Sequence, residues 1–313
     1  MKTQIISTLI LLISTTLLSQ QNSLELNPLP SSIEYAAQTI QKPQLIEKIK
    51  YLSSDQLKGR KTGTAENKKA RNYIVDFFIE KDLDVTLQPF QFERDNKTHK
   101  AVNIITIIEG TENPENFIAV TAHFDHVGID KSVERDSIYN GADDNASGTS
   151  ALLLMAKYFK LNPPKNSFIF IALDAEEMGL QGAKYFVESN KRNIVLNINM
   201  DMISRNKNNE IYICGTRFTP SLKSYFEAIP VESIPIKVSL GHDGLDGKDS
   251  WVNSSDHAPF HKSGIPFLYF GVEDHPDYHK PTDEFSRIDP DFYFNVVNFI
   301  THTLADIDSK IGY

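Results

Sequence analysis

Cysteine is almost missing: a single thiol, Cys214, stands in 313 residues. An internal disulfide is excluded, so stability has to come from packing and from whatever the chain binds. Concentrated positive charge is missing as well. Lys and Arg number 32 against 41 Asp and Glu, a formal net charge of −9. The small group Lys58, Arg60 and Lys61 is no basic stripe, and a nucleic-acid partner is not expected from such a balance. Long apolar runs are absent too. The segment Ile5 to Leu18 falls short of the roughly twenty residues that a membrane-spanning helix needs. With Lys2 before it and Ser19, Gln20, Gln21 and Asn22 after it, it reads as a secretory signal peptide over residues 1–20. That implies a secreted or periplasmic protein with no stable membrane insertion after signal cleavage. No Cys lies near the end of this segment, so lipid attachment is not expected. Repeats and low-complexity linkers are also missing, which leaves 21–42 as a leader segment and 43–313 as a single domain.

What is present is a hydrophobic content of 40%, enough for a large core. From Pro43 the spacing Leu45, Ile46, Ile49, Leu52 predicts a helix, and a second begins near Thr64 with Tyr73, Ile74, Phe77 and Phe78 on its apolar face. Val85–Phe92 and Val102–Ile108 read as strands. Beyond them apolar strand-like runs alternate with helical patterns: FIAVTA (117–122), a helix over 146–161, FIFIAL (168–173), a helix over 179–188, and a run ending at Met200. The alternation predicts an α/β fold, three α/β/α layers around a mixed, largely parallel central sheet. Further on come a strand at Ile211–Cys214, a helix over 219–228, a short strand near 236–239, a long Gly/Asp/Ser loop over 241–255, a strand at Pro266–Phe270 and a last helix from Pro290.

Chemistry-bearing residues fall at the ends of the strand-like runs. FIAVTA leads into His123 and Asp125, FIFIAL into Asp174, Glu176 and Glu177, and the third run into Asp201. The stretch NGADDNASG (140–148) places Asp143 and Asp144 among turn-formers before a helix, where capping alone would also use acids. Tyr278 and His279 come late, in a loop. Open α/β sheets gather their sites beyond the carboxyl ends of the strands, so these clusters are expected to meet. Histidine and carboxylates without cysteine suit zinc or a similar divalent ion, and a carboxylate shared by two ions fits the excess of acid. Adjacent Glu176 and Glu177 can divide two tasks, one accepting a proton from water and the other holding metal. Asp125 is placed to steady the His123 ring, and Tyr278 to donate to a developing oxyanion. Asp256 stands behind these groups. Arg60 reads as half of a structural salt bridge, Arg205 as a surface residue, and His99, His242, His261 and His302 as structural or surface histidines.

Taken in order, AHFDHVG, NGADDNASG, LDAEEMGLQGAKYF, NMDMIS, SDHAPF and YHKPTDEFSRID resemble the co-catalytic dizinc exopeptidases of the aminopeptidase Y and aminopeptidase S type, a family that includes glutamate carboxypeptidase II and the glutaminyl cyclases. The resemblance runs from about Leu45 to the C-terminus. It implies two zinc ions per chain, bridged by Asp144, with His123 and Asp201 completing one and Glu177 and His279 the other. It implies Glu176 as general base, Tyr278 assisting at the oxyanion, Asp125 orienting His123, and Asp143 as a neighbour that is not a ligand. The implied activity is that of an aminopeptidase acting on peptide substrates with a free N-terminus. A glutaminyl cyclase with one zinc and an inactive binding module on the same fold are the alternatives. The short break 109–116 leaves no room for the protease-associated domain that some family members insert there.

Overall fold

Backbone spacing and burial explain the elements in sequence order. The computed structural model describes residues 25–26, 40–230 and 234–312, so the expected signal peptide lies outside the described residues. The two-residue strand β1 (Glu25–Leu26) comes first. Helix α1 (Lys42–Leu52) starts on Pro43, whose missing N–H costs nothing in a first turn, and buries Leu45, Ile49 and Leu52. Helix α2 (Ala65–Glu80) is capped by Thr64, whose side chain accepts from the Asn67 N–H, and buries Ala70, Ile74, Phe77 and Phe78.

Strands β2 (Val85–Arg94) and β3 (Lys97–Ile108) form a long antiparallel hairpin. Then come β4 (Asn113–His123), a small ladder of β5 (Gly128–Ile129) and β6 (Ile138–Tyr139), helix α3 (Gly148–Leu161), β7 (Asn166–Leu173), α4 (Gln181–Ser189) and β8 (Asn193–Met200). The chain continues through β9 (Glu210–Cys214), α5 (Pro220–Glu227), β10 (Lys237–Leu240), α6 (His257–Lys262), β11 (Phe267–Gly271) and α7 (Pro290–Lys310). It closes on β12 (Ile311–Gly312), which pairs with β1. No helix among the described residues is long and apolar enough to cross a membrane.

Eight strands make one sheet in the order β10, β9, β11, β8, β4, β7, β3, β2. Its centre, β11, β8, β4 and β7, is parallel throughout, while β9 meets β11, and β3 meets both β7 and β2, antiparallel. Every residue of β7 is buried, as the unbroken apolar run of a doubly covered strand requires. Its alternate side chains serve two cores. Phe168, Phe170 and Ala172 join the larger core with α1, α2, α3 and α7. Ile169, Ile171 and Leu173 join a smaller one with Phe186 of α4 and Phe260 of α6. Helices therefore lie on both faces.

Two local differences from the expected elements bear on the site. The helix expected from Ala146 begins at Gly148, because residues 142–147 form a wide turn instead of a regular helical start. SDHAPF contains the short helix α6, which its Pro259 had concealed, since proline is tolerated in a first turn.

Candidate metal centre

Because the four parallel strands run together, their carboxyl ends present side chains to one place. His123 is the last residue of β4 and lies in register with Leu173 of β7; Asp201 directly follows β8. Glu176 and Glu177 follow β7, and Tyr278 and His279 sit in the loop beyond β11. The wide turn at 142–147 brings up Asp144 from the start of α3, with a cis peptide between Asp144 and Asn145. Two glycines make that turn possible. Gly141 has φ +55°, and a Cβ there would lie 2.1 Å from the Asp144 carbonyl and 2.5 Å from the His126 ring. At Gly148 a Cβ would meet the Met200 carbonyl at 2.4 Å.

The carboxylate of Asp144 faces two imidazoles at once. Its Oδ1 lies 3.4 Å from His123 Nε2 and its Oδ2 3.0 Å from His279 Nε2. Asp201 Oδ1 lies 3.3 Å from the same His123 nitrogen, and Glu177 Oε2 3.2 Å from the same His279 nitrogen. The structure thus assembles two three-donor sets that share Asp144. His123 Nε2 and Asp201 Oδ1 are buried without any hydrogen-bond partner. Such orphaned donors and acceptors are costly unless something binds between them. Two imidazoles and three carboxylates around that space fit a pair of borderline divalent cations such as zinc, and His126 and Glu176 lie close enough to offer further donors.

The electrostatics say the same in another way. Burial opposes charge on His123, yet Asp201, Glu176 and Asp144 outweigh it and hold the ring well above its ordinary value. Burial likewise opposes charge on His279, but its hydrogen bonds to Asp144 and Glu177 raise it to about 10. Burial alone would raise Glu177; hydrogen bonds from His126 and His279 reverse this and hold it well below its ordinary value. A site that grips protons on its histidines this firmly grips cations. Glu176 differs from its neighbour. Burial pushes it well up, His123 pulls it down, and Asp256, Asp201 and Glu177 add to the rise. A carboxyl with raised proton affinity beside a metal cradle suits a proton acceptor and donor.

The residues behind the cradle are more numerous than the sequence suggests. Ser255 donates to Asp201 Oδ2 at 2.7 Å and receives from Asn199, which in turn receives from Thr121. Asp125 meets His123 Nδ1 through its backbone carbonyl at 3.2 Å, while its carboxylate stands 3.8 Å away. The expected carboxylate–imidazole bond is therefore replaced. The carboxylate is taken up by the Glu176 N–H (3.1 Å) and by Thr62 (3.1 Å), so it positions the backbone of Glu176. Asp174 turns away from the cradle to Thr62, Asn67, and the N–H groups of Val102 and Ala175. Asp256 is buried with both oxygens unpartnered and is pushed up to about 7, chiefly by burial, with Asp201 adding to the rise against the pull of His123.

Asp143 and Asp144 do opposite things. Asp143 holds the N–H and hydroxyl of Ser204 and the ring of His275, and so ties the loop after β8 to the loop after β11. Two contributors, His126 and Asp283, carried no sequence-level assignment, and Arg60 takes a different role from the one expected. His126 Nδ1 lies 2.7 Å from Glu177 Oε1 and 3.7 Å from Asp144 Oδ2. Asp283 accepts from the N–H groups of Asp143 and Asp144 and so shapes the turn. Arg60, fully buried, donates to the carbonyls of Leu52, Phe124, Asn140 and Gly141. It acts as a structural clasp, on carbonyls instead of the expected salt bridge. The only available signals were the i, i+3 pairing of His126 with His123 and the position of Asp283 four residues beyond His279. Arg205 pairs with Asp277 at 2.6 Å.

A cavity of about 150 Å³ opens on the cradle, lined by Asp144, Glu176, Asp201, Trp251, Tyr278 and His279 among others. Tyr278 stacks on His279, with ring centroids 4.1 Å apart. Burial, with the carboxylates of Asp144 and Asp201, raises its hydroxyl so that it stays a donor. A larger cavity of about 530 Å³ lies elsewhere, between α2 and the β2–β3 hairpin, and contains none of the cradle residues.

Comparison with known proteins follows this geometry. Over 198 residues the chain is 32% identical to aminopeptidase YwaD of Bacillus subtilis, covering 58% of this chain and 40% of that protein. It spans less than half the length of this and other curated relatives. The zinc aminopeptidase BSAP of Bacillus subtilis shares the fold with a TM-score of 0.69 at 20% identity, over 87% of this chain and 99% of that one. A glutaminyl cyclase of Bacteroides thetaiotaomicron does so with a TM-score of 0.67 at 19% identity, over 85% and 98%. The family model described as peptidase family M28 matches residues 103–304, from within β3 to within α7 and across every cradle residue. The chain is a member of peptidase family M28.

Proposed function

We infer that this protein is a zinc-dependent aminopeptidase that hydrolyses the first peptide bond of peptides with a free N-terminus. The observation that carries the reading is the shared carboxylate: Asp144 faces His123 and His279 with its two oxygens, and each histidine has a second carboxylate of its own. In this reading His123, Asp144 and Asp201 hold one zinc, and Asp144, Glu177 and His279 the other. Bound zinc supplies Lewis acidity, polarising the scissile carbonyl and acidifying water. Glu176 takes the proton from the attacking water and delivers it to the departing amine, a task for which its raised proton affinity is suited. Asp125 holds the Glu176 N–H and fixes where that carboxylate stands. Tyr278, kept protonated, donates to the oxyanion as the carbonyl carbon becomes tetrahedral.

Membership of the family and the likeness of relatives named as aminopeptidases support the class of reaction. The alternative of a one-zinc glutaminyl cyclase is less well supported, because both donor sets are complete. The test is a screen of aminoacyl anilides and N-acetylated peptides with and without chelator, together with zinc content. Turnover of free but not blocked N-termini, abolished by chelator and accompanied by about two zinc per chain, is the expected result. Equal rates on blocked and free peptides, or cyclisation of N-terminal glutamine with one zinc, would overturn it. Export rests on the Ile5–Leu18 segment alone; N-terminal sequencing of exported material should begin near residue 21.

A further inference from the structure

The long loop between β10 and α6 carries a second cluster of metal-type donors. His242, in that loop, is fully buried, and its ring stacks on Trp251 at 3.4 Å with a 7° interplanar angle. Its Nδ1 lies 2.9 Å from the Asp249 carbonyl. A carbonyl only accepts, so Nδ1 carries a hydrogen, and in the neutral ring Nε2 offers its lone pair. That Nε2 is buried, makes no hydrogen bond, and lies 3.2 Å from Glu273 Oε1, another acceptor. Asp249 completes the group, with one potential ligand atom from each of the three residues within 4.8 Å of the others; its Oδ1 lies 3.4 Å from Nδ1 and its Oδ2 accepts from Trp251 Nε1, so it needs a turn of its exposed side chain to join Nε2 and Glu273.

A nitrogen and a carboxylate oxygen 3.2 Å apart leave room for a proton or a metal ion between them. Lys248 supplies a cation beside Glu273, but its Nζ only reaches the Glu273 oxygen at 3.5 Å while donating to the Tyr212 hydroxyl at 2.7 Å. It leaves the imidazole lone pair unanswered.

We propose that His242, Asp249 and Glu273 form a third metal site, taking a borderline divalent ion such as zinc, that clamps the 241–255 loop to the end of β11. One imidazole and two carboxylates suit zinc, nickel or cobalt; magnesium and calcium prefer all-oxygen sites. The consequence reaches the cavity. Asp249, Trp251 and Ser254 from the loop and Asp274, beside Glu273, all line the space above the cradle. An ion here fixes the roof under which substrate would sit. The site stands independently of whether the cradle hydrolyses peptides.

Trp251 is the chain's single tryptophan, so its fluorescence reports on the ring stacked against it. Equilibrated with micromolar zinc, the full-length protein should carry one more zinc per chain than Glu273→Gln and show a different Trp251 emission. Glu273 lies outside the cradle and its side chain is 46% exposed, so this variant should fold. Zinc titration should show a saturable change in wild type. In Glu273→Gln the affinity should fall by more than the roughly 10- to 100-fold that losing a ligand's support costs. Lys248→Met, which removes the competing ammonium, should shift affinity several-fold the other way. Magnesium should leave the emission unchanged. Equal zinc content in wild type and Glu273→Gln, an emission change that persists in Glu273→Gln, or an equal response to magnesium would each overturn the proposal.

Discussion

The two halves of the cradle are built from different material. His123 and Asp201 stand at the ends of adjacent central strands, and the His123 side chain is 1% exposed. Behind them a chain of buried polar groups, Thr121, Asn199 and Ser255, locks the Asp201 carboxylate. His279 and Glu177 come from loops, and the His279 side chain is 41% exposed. Its steadying contacts are a stack on Tyr278 and, across Glu177, the buried His126. One half is fixed by the sheet; the other is held by its neighbours. The same contrast separates Glu176, whose N–H is held by Asp125, from Glu177, whose carboxylate is held by histidines.

That contrast breaks first at Glu176. Glu176→Gln should keep its metal content while kcat falls roughly 10²- to 10⁴-fold, the usual range for a lost general base. Glu177→Gln should lose metal instead, measured as zinc per chain. An active Glu176→Gln with full metal would mean that the proton acceptor lies elsewhere.

Next in size is the clasp beneath the strand-end half. Arg60→Met leaves four buried carbonyls without their donor, at about 1–3 kcal/mol each if nothing replaces it. Unfolding free energy should drop by at least about 3 kcal/mol in urea titration. A loss below about 1 kcal/mol would show that water fills the gap.

His257 tests the same half through pH. Its Nε2 donates to the Trp251 carbonyl (2.8 Å), and burial depresses its pKa from 6.5 to about 4. Because the folded value is lowered, the unfolded chain takes up the proton first as pH falls. The contribution is fully present above pH 6.5 and is lost down to about pH 4. At pH 5 it should amount to about 2 kcal/mol less stability than at pH 7. His257→Gln should flatten that part of the pH profile; an unchanged slope would refute the assignment.

The smallest effect is in metal exchange. If the cradle holds the two ions proposed, the one at Glu177 and His279 should leave first on dilution into chelator, roughly tenfold faster than the one at His123 and Asp201. Simultaneous loss would mean that Asp144 couples the halves completely. His279→Ala should then abolish both sites, where retention of one zinc is expected.

Much of this contrast was readable before the structure. FIFIAL is apolar at every position and FIAVTA at all but Thr121, because parallel central strands are covered on both faces, so the strands and the acids beyond them stand out. What stayed hidden depends on which way a side chain turns. Asp143 and Asp144 are adjacent and equally acidic; only the turn at 142–147 sends one to Ser204 and the other to the cradle. Arg60 looked like half of a salt bridge because charge is visible in a sequence and carbonyl groups are not. Asp283 and His126 act across 139 and 51 residues of chain, on partners that no local pattern indicates. Asp125 was expected to serve a ring, but a backbone N–H competed for the same carboxylate.

The hairpin that ends the sheet has a further consequence, for behaviour in crowded solution. Pro89 sits in the middle of β2, opposite Val102, and cannot offer an N–H to a passing strand. Lys97, Glu93 and Arg94 place charge at the hairpin's tip, and the opposite border, β10, is only four residues long. A sheet of eight strands thus presents two borders that a stray chain finds hard to extend. The protein should remain dispersed at concentrations where Pro89→Val, with its restored N–H, begins to self-associate.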